Sequence, residues 1–364
     1  MARLGDVCII NPKVPPIDDS MLVSFVPMQR VGEEGEFDPS EQRTYADVKK
    51  GFTYFADADV LFAKITPCME NGKGAIACGM GNGIGFGSTE FHVLRPNKKM
   101  MMGEWLYYLT VCPTFRKEAE RNMTGSAGQK RVPKSFLENY HVNIPVLSEQ
   151  HQQVQVLNNI FALLSLRKQQ LAKLDELVKS RFIEMFIGKG YPTKTVNEVS
   201  RGKGEYGAQS ASTEYDPNRP RYVRITDIND DGTLNNDMVT SVNLDDDEQY
   251  RLEYGDFMFA RMGATVGKTY AFIVGNQIFA GYLIRYKLNP KLINPRYLFW
   301  YTKLDEYWNW VKLNQSGAAQ PGINAKKYGS LRIPVPPMEL QDQFAAFVAQ
   351  TDKSKSFDDL EVAA

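Results

Sequence analysis

The chain has 364 residues, enough for two or more domains that each bury a core. Its 43 lysines and arginines balance 43 aspartates and glutamates, so it lacks the overall basic excess usual in a nucleic-acid binder. No stretch approaches the roughly eighteen continuous apolar residues of a membrane-spanning helix.

In chain order, the opening MARLGDVCIINPK lacks the charged, apolar and small-residue succession of a secretory signal. Leu4 to Ile10 is amphipathic and leads into the turn-rich NPKVPP. Leu22 to Met28 is a strand candidate, and Gly51 to Lys64 reads as turn, strand and strand. Seven glycines among the sixteen residues from Gly72 to Gly87 predict loop, bulge or closely approaching backbone. Thr89 to Leu94 is a strand ending at Pro96; Trp105 to Cys112 and Phe115 to Asn122 are helical, with Pro113 between them. TGSAGQKRVPKSFLENY is a loop followed by a short helical turn, and His141 to Pro145 is a strand. Cys8, Cys68, Cys78 and Cys112 form no CxxC pair, and the histidines are only His92, His141 and His151. A disulfide framework or zinc site has little to build on, and a reducing cytoplasm is the expected location.

From Glu149 to about Ile187 there is neither proline nor glycine, and good helix formers dominate. Ser148 is placed to cap this helix at its start and Gly188 at its end. Val154, Leu157, Phe161, Leu164, Leu171, Val178, Phe182 and Met185 follow three- and four-residue steps, broken at Lys168 and Asp175, which describes a coiled-coil seam. Such a helix would be roughly 58 Å long and serve as a spacer needing a partner along its side.

Beyond it the first half returns. Phe25-Val26-Pro27-Met28 recurs as Tyr222-Val223-Arg224-Ile225, and Asp59-Val60-Leu61-Phe62-Ala63-Lys64 as Asp256-Phe257-Met258-Phe259-Ala260-Arg261. Leu94 and Pro96 match Leu288 and Pro290; Trp105-Leu106-Tyr107-Tyr108 matches Tyr297-Leu298-Phe299-Trp300. SAGQKRV (Ser126 to Val132) corresponds to GAAQPGI (Gly317 to Ile323), VNIP to IPVP, and Gln150 to Gln341. The second copy also ends in a helix, Met338 to about Thr351, with Leu340, Phe344, Phe347 and Val348 on one stripe, before a polar tail. The fold class is therefore α+β: two α/β domains in pseudo-symmetric tandem, separated by long coiled-coil-type helices. The expected boundaries are 1–148 for the first domain, 149–188 for the spacer helix, 189–337 for the second domain and 338–364 for the distal helix and tail.

At these duplicated motifs, and in the helix opening PVLSEQ and running through LRKQQLAKLDELVKSRFIEMF, the chain resembles the specificity subunit of Type I restriction–modification enzymes. The resemblance covers essentially the whole chain. It implies two target-recognition domains that each read one half of a bipartite site in double-stranded DNA, with antiparallel helices setting the spacing. It implies docking of two methyltransferase subunits on those helices and a further translocating restriction subunit. The chain itself would be non-catalytic and bind no cofactor, with S-adenosylmethionine, ATP and magnesium used by the partners. The family's distal helix is nearly as long as the central one. Here the shorter distal helix leaves Leu171, Leu174, Val178, Phe182 and Met185 without a partner in the chain, to be covered by a second molecule, through self-association of the central helix, or by a methyltransferase subunit. The expected docking or seam residues are Leu157, Phe161, Leu164, Leu171, Val178, Phe182, Phe344 and Phe347.

The neutral total hides uneven charge: 116–134 and 294–332 each hold six basic and two acidic residues, while acids collect between Asp227 and Glu248. Arg or Lys can bond a guanine edge and Asn or Gln an adenine edge, which makes Lys64, Arg261, Gln129 and Gln320 candidate DNA contacts. For the two glutamines, holding a shared loop is the competing role. Lys130, Arg131, Lys134, Lys326 and Lys327 read as phosphate anchors, and Lys73, Arg224 and Lys268 are further candidate DNA contacts. GATVGKT (Gly263 to Thr269) has one residue too few for a phosphate loop and reads as a glycine turn after a strand that presents Arg261 and Lys268 to a phosphate backbone. The Trp105-Tyr107-Tyr108 and Trp308-Trp310 groups fit a core better than stacking platforms. No amino-methyltransferase or magnesium-nuclease motif stands out. The competing functions are a tandem protein-interaction scaffold, the specificity subunit of another restriction or methylation-only system, and last a nucleotide-dependent enzyme.

Overall fold

The computed structural model describes residues 1–126, 128–317 and 321–361, with side chains in the last helix as far as Ser354. Gln320 thus lies outside the described residues. The chain divides into two compact units, Met1–Leu166 and Arg167–Ala364.

The duplicated aspartate motif forms the middle of each unit's main sheet. In the first unit the strands run Cys8–Ile10, Phe91–Pro96, Val60–Ala63, Gly74–Ile76; in the second, Glu205–Tyr206, Leu283–Lys287, Asp256–Ala260, Thr269–Ala271, all antiparallel neighbours. Every residue of Val60–Ala63 is buried, because side chains alternate between two apolar clusters: Val60 and Phe62 face one, Leu61 and Ala63 the other. Phe257 and Phe259, against Met258 and Ala260, repeat the arrangement. The unbroken apolar run is thus the signature of a strand covered on both faces.

A second strand pair is also duplicated. Leu22–Val26 lies parallel to Ile84–Gly87, and Arg221–Val223 lies parallel to Gln277–Phe279. Here the glycine run takes the closely approaching backbone among its expected forms, since Gly74–Ile76 and Ile84–Gly87 are strands rather than loop. Close approach is the reason: a Cβ on Gly87 would stand 2.1 Å from the Val26 carbonyl oxygen, and one on Gly85 2.2 Å from the Phe55 ring. Further short pairs, Ala2–Arg3 with His141–Val142 and Thr193–Thr195 with Arg332–Pro334, join the two ends of each globular part.

The central helix runs Leu147–Phe186, so Ser148 sits in its first turn rather than at its cap. Gly188 follows with φ +71°, the left-handed conformation expected of a helix-ending glycine. The last helix runs Met338–Glu361, about ten residues beyond the expected end near Thr351; its polar continuation lacks proline and glycine, so nothing stops propagation.

Both helices begin on the same buried device. Gln150 is fully buried: its Oε1 accepts from the Met102 N–H at 2.9 Å, and its Nε2 donates to the carbonyls of Met100 and Pro145 at 2.8 Å each. Gln341, also fully buried, accepts from the Asn294 N–H at 2.9 Å and donates to the carbonyls of Leu292 (3.1 Å) and Pro336 (2.8 Å). Each amide ties a helix to the loop ahead of an aromatic helix, Gly103–Val111 or Pro295–Tyr301.

The seam of the central helix is not uniform. Within the second unit Val178, Phe182 and Phe186 are buried, with Phe182 stacked on Tyr297 (5.3 Å between centroids) and edge-on to Phe344 (5.2 Å). Phe347 and Met185 pack against the same cluster. This corrects the expectation that Val178, Phe182 and Met185 lack cover within the chain: the aromatic helix and the last helix supply it. Leu171 and Leu174 are half-buried. The uncovered stretch lies earlier, at Val156, Ile160, Phe161, Leu163, Leu164 and Leu166, with Leu157 half-buried. Among the described residues no helix is long and apolar enough to cross a membrane.

Candidate nucleic-acid interface

Each unit ends its middle strand on a basic residue and closes a small loop beside it. In the first unit the Lys64 carbonyl accepts from the Val132 N–H at 2.9 Å. Thr124 and Arg131 exchange two backbone hydrogen bonds (2.9 and 2.8 Å) that pinch off the loop bearing Gln129 and Lys130. In the second unit the Arg261 carbonyl accepts from the Ile323 N–H at 3.0 Å, and Ser316 and Gly322 exchange the same pair (3.0 and 2.9 Å). Val132 and Ile323 are buried, anchoring both loops to the core. The correspondence between SAGQKRV and GAAQPGI is therefore one of loop anchoring.

The basic residues divide sharply by what holds them. Arg131 forks onto Glu90 (2.8–3.1 Å), raising its own pKa and holding the Glu90 carboxyl below the usual carboxylate range. Lys134 pairs with Glu138 at 2.9 Å. The Arg224 guanidinium bonds Asp227 at 2.8 Å and the Met238 carbonyl at 3.0 Å. Lys268 pairs with Asp230 at 2.7 Å and reaches the Ile228 carbonyl at 3.3 Å; Lys327 donates to the Asn314 carbonyl at 2.7 Å. Lys73 reaches the Met28 carbonyl at 3.4 Å. Lys64, Lys130, Arg261 and Lys326 form no salt bridge among the described residues, although Lys64, after Arg131, helps to hold the Glu90 carboxyl down. Gln129 is exposed and makes only backbone contacts within its loop, from Gln129 N to the Ser126 carbonyl and from Arg131 to the Gln129 carbonyl.

One of these four is held by an aromatic ring. The Arg261 guanidinium lies 4.8 Å from the Tyr206 ring centroid, and its Nη1 donates to the Gly281 carbonyl at 3.4 Å. Tyr206 is not marked by any local motif, because it meets Arg261 only through the pairing of Glu205–Tyr206 with Leu283–Lys287.

GATVGKT has the geometry of a turn, not of a phosphate cradle. Gly263–Thr265 is a single tight turn leading into the strand Thr269–Ala271, with no helix after it. Its N–H groups are engaged: Gly263 donates to the Pro321 carbonyl at 2.9 Å and Gly267 to the Tyr328 hydroxyl at 3.2 Å. The aromatic groups also serve packing. Trp105 donates to Gln153 at 2.8 Å, Tyr108 stacks on Phe161 at 5.3 Å, and Trp310 tilts over Tyr328 at 5.8 Å, while Trp308 is partly exposed.

The family model for the Type I restriction modification DNA specificity domain matches residues 1–176 and again 191–358. The specificity subunit of the Type I restriction enzyme EcoAI from Escherichia coli is 40% identical over 201 residues, 54% of this chain and 33% of that subunit. The chain spans about a third of the length of the curated relatives it matches. A solved chain from work on complex assembly and conformational transition of the type I R-M system superposes with a TM-score of 0.54 at 18% identity, covering 98% of this chain and 90% of that one. The S subunit of a Type I restriction-modification system from M. genitalium gives 0.53 at 14% identity, covering 100% and 91%. At these identities the two structures attest the fold alone.

Proposed function

This chain belongs to the Type I restriction modification DNA specificity family, and on that premise we propose that it reads a bipartite DNA sequence, one part through each unit. The observation that carries the reading is the tandem itself: two family domains, each with a basic residue outside any salt bridge among the described residues, Lys64 or Arg261, at the same strand end beside the same anchored loop. A zero net charge does not oppose it, because Glu90, Glu138, Asp227 and Asp230 neutralise many cations and leave a few free on each unit. Lys130 and Lys326 fit phosphate anchoring, and binding should fall steeply with salt if such contacts dominate.

The chain acts as the non-catalytic partner in this reading. Adenine methylation with S-adenosylmethionine, and ATP- and magnesium-dependent translocation and cleavage, belong to two methyltransferase subunits and to restriction subunits. The central helix sets the interval between the half-sites. The exposed row Val156, Ile160, Leu163 and Leu164 supports helix docking by a methyltransferase subunit, a contact that a tandem interaction scaffold would share. Co-expression with a methyltransferase partner followed by methylome sequencing tests the proposal. A bipartite methylated motif is expected, and exchanging residues 189–337 for another second domain should change one half of it. An unchanged motif after exchange, or no motif, sinks it.

A further inference from the structure

We propose that Arg261 is the guanine-reading side chain of the second unit, aimed by Tyr206, an inference that rests on the DNA-reading function proposed above. Five of the six second-unit residues picked out by charge or amide chemistry are described, and three of them, Arg224, Lys268 and Lys327, are engaged by internal acceptors at 2.7–2.8 Å, whereas the contact of Arg261 Nη1 with the Gly281 carbonyl is longer, 3.4 Å. Lys326 is exposed and free, a flexible point charge suited to phosphate. Arg261 combines three properties, of which Lys326 shares only the first.

First, no acid neutralises it among the described residues. Second, it rests against a ring. The Tyr206 ring lies under the guanidinium, and the ring is itself held, because the Ala325 N–H donates to the Tyr206 hydroxyl at 3.2 Å and Tyr206 pairs in register with Ile284. Third, one edge is closed. Arg261 Nε is buried with no hydrogen-bond partner among the described residues, so a ligand can meet the group only through its Nη atoms. The outward Nη donors, with Nη1 also touching the Gly281 carbonyl at 3.4 Å, match two coplanar acceptors, and guanine O6 and N7 present such a pair in the major groove. Two phosphate oxygens can also accept from such a pair, but that contact carries no sequence preference, and this is the property that separates the two roles. The equivalent residue in the first unit, Lys64, has no aromatic ring beneath it among the described residues. The two strand ends therefore have different roles: Lys64 holds the backbone and Arg261 specifies a base.

The test is selection from a randomised duplex DNA library by the full chain, comparing wild type with Arg261→Ala, Arg261→Lys and Tyr206→Leu. Wild type should enrich a bipartite motif with a guanine in one half. Arg261→Lys keeps charge and stem, and so controls for folding and phosphate attraction. It should bind DNA yet lose discrimination at that one position, by on the order of tenfold to a hundredfold. Arg261→Ala should lose the same discrimination with weaker binding, and Tyr206→Leu should give an intermediate loss at the same base. If Arg261→Lys and Arg261→Ala keep the wild-type motif and merely bind all sequences more weakly, Arg261 is a phosphate contact and the inference is overturned while the DNA-reading function stands. If wild type enriches no motif, both fall together.

Discussion

The two units share a plan and differ in how each partners its buried groups. In the first, Asp59 is paired in bidentate fashion with Arg95 (2.6 and 2.7 Å), which keeps the guanidinium pKa well above its ordinary value. In the second, the matching Asp256 stands 3.4 Å from Arg285, whose other contacts are Glu205 and the carbonyls of Arg251 and Gln249. Burial pushes the Asp256 carboxyl up, despite Arg285 nearby. Both aspartates accept a backbone N–H three residues upstream, from Ala56 and Glu253. The duplicated aspartate therefore holds the same turn twice, while its charge is compensated well only once. A repeated motif preserves the local hydrogen bond and leaves the long-range partner free to diverge.

The largest expected contrast concerns the central helix. Phe182→Ala should cost about 3–5 kcal/mol by opening the fully buried cluster around Tyr297 and Phe344, whereas Leu163→Ala on the uncovered stretch should cost under about 0.5 kcal/mol. Denaturant unfolding of the isolated full chain measures both, and equal losses would contradict the division of the helix into covered and uncovered parts. Next come the helix-anchoring glutamines. Gln150→Ala and Gln341→Ala should each cost about 2–3 kcal/mol by stranding buried backbone groups. Hydrogen exchange should localise each loss to its own unit, and tolerance of either substitution would break the equivalence.

The aspartates should behave unequally. Asp59→Asn is expected to cost about 2 kcal/mol, less than a fully buried pair because Arg95 is partly exposed, and Asp256→Asn less than about 1 kcal/mol at neutral pH. Similar costs would show that the two ion pairs are equivalent after all. The smallest effect should be the pH dependence that His92 gives the first unit, a contribution with no histidine counterpart in the second. Burial lowers the His92 pKa, while Nε2 contacts the Val132 carbonyl at 2.8 Å and Nδ1 the Asn11 amide at 3.2 Å. The unfolded chain then takes up the proton first. The stabilisation is present above the unfolded value of about 6.5 and is lost as pH falls toward the depressed folded value. His92→Gln should flatten that slope, and a slope that persists assigns it to other groups.

Much of the architecture was legible in order and period. The two strands with unbroken apolar runs, the central helix and the pairing of Gln150 with Gln341 follow from residues close together in the chain. The candidate interface was legible only as composition. Sequence marked Arg131, Lys134, Arg224 and Lys268 as available cations, but Glu90, Glu138, Asp227 and Asp230 engage them. It passed over Tyr206, which becomes informative only beneath Arg261.

Sequence by itself determined that one α+β unit occurs twice and that a long helix begins after the first copy, because periodicity and duplication are properties of neighbouring residues and fixed offsets. Tertiary structure alone decided which end of that helix is covered, which aspartate is well paired and which cations remain free. Those outcomes depend on side chains far apart in the chain meeting across a sheet or a loop, where a few ångströms separate a neutralised charge from one still able to meet a ligand.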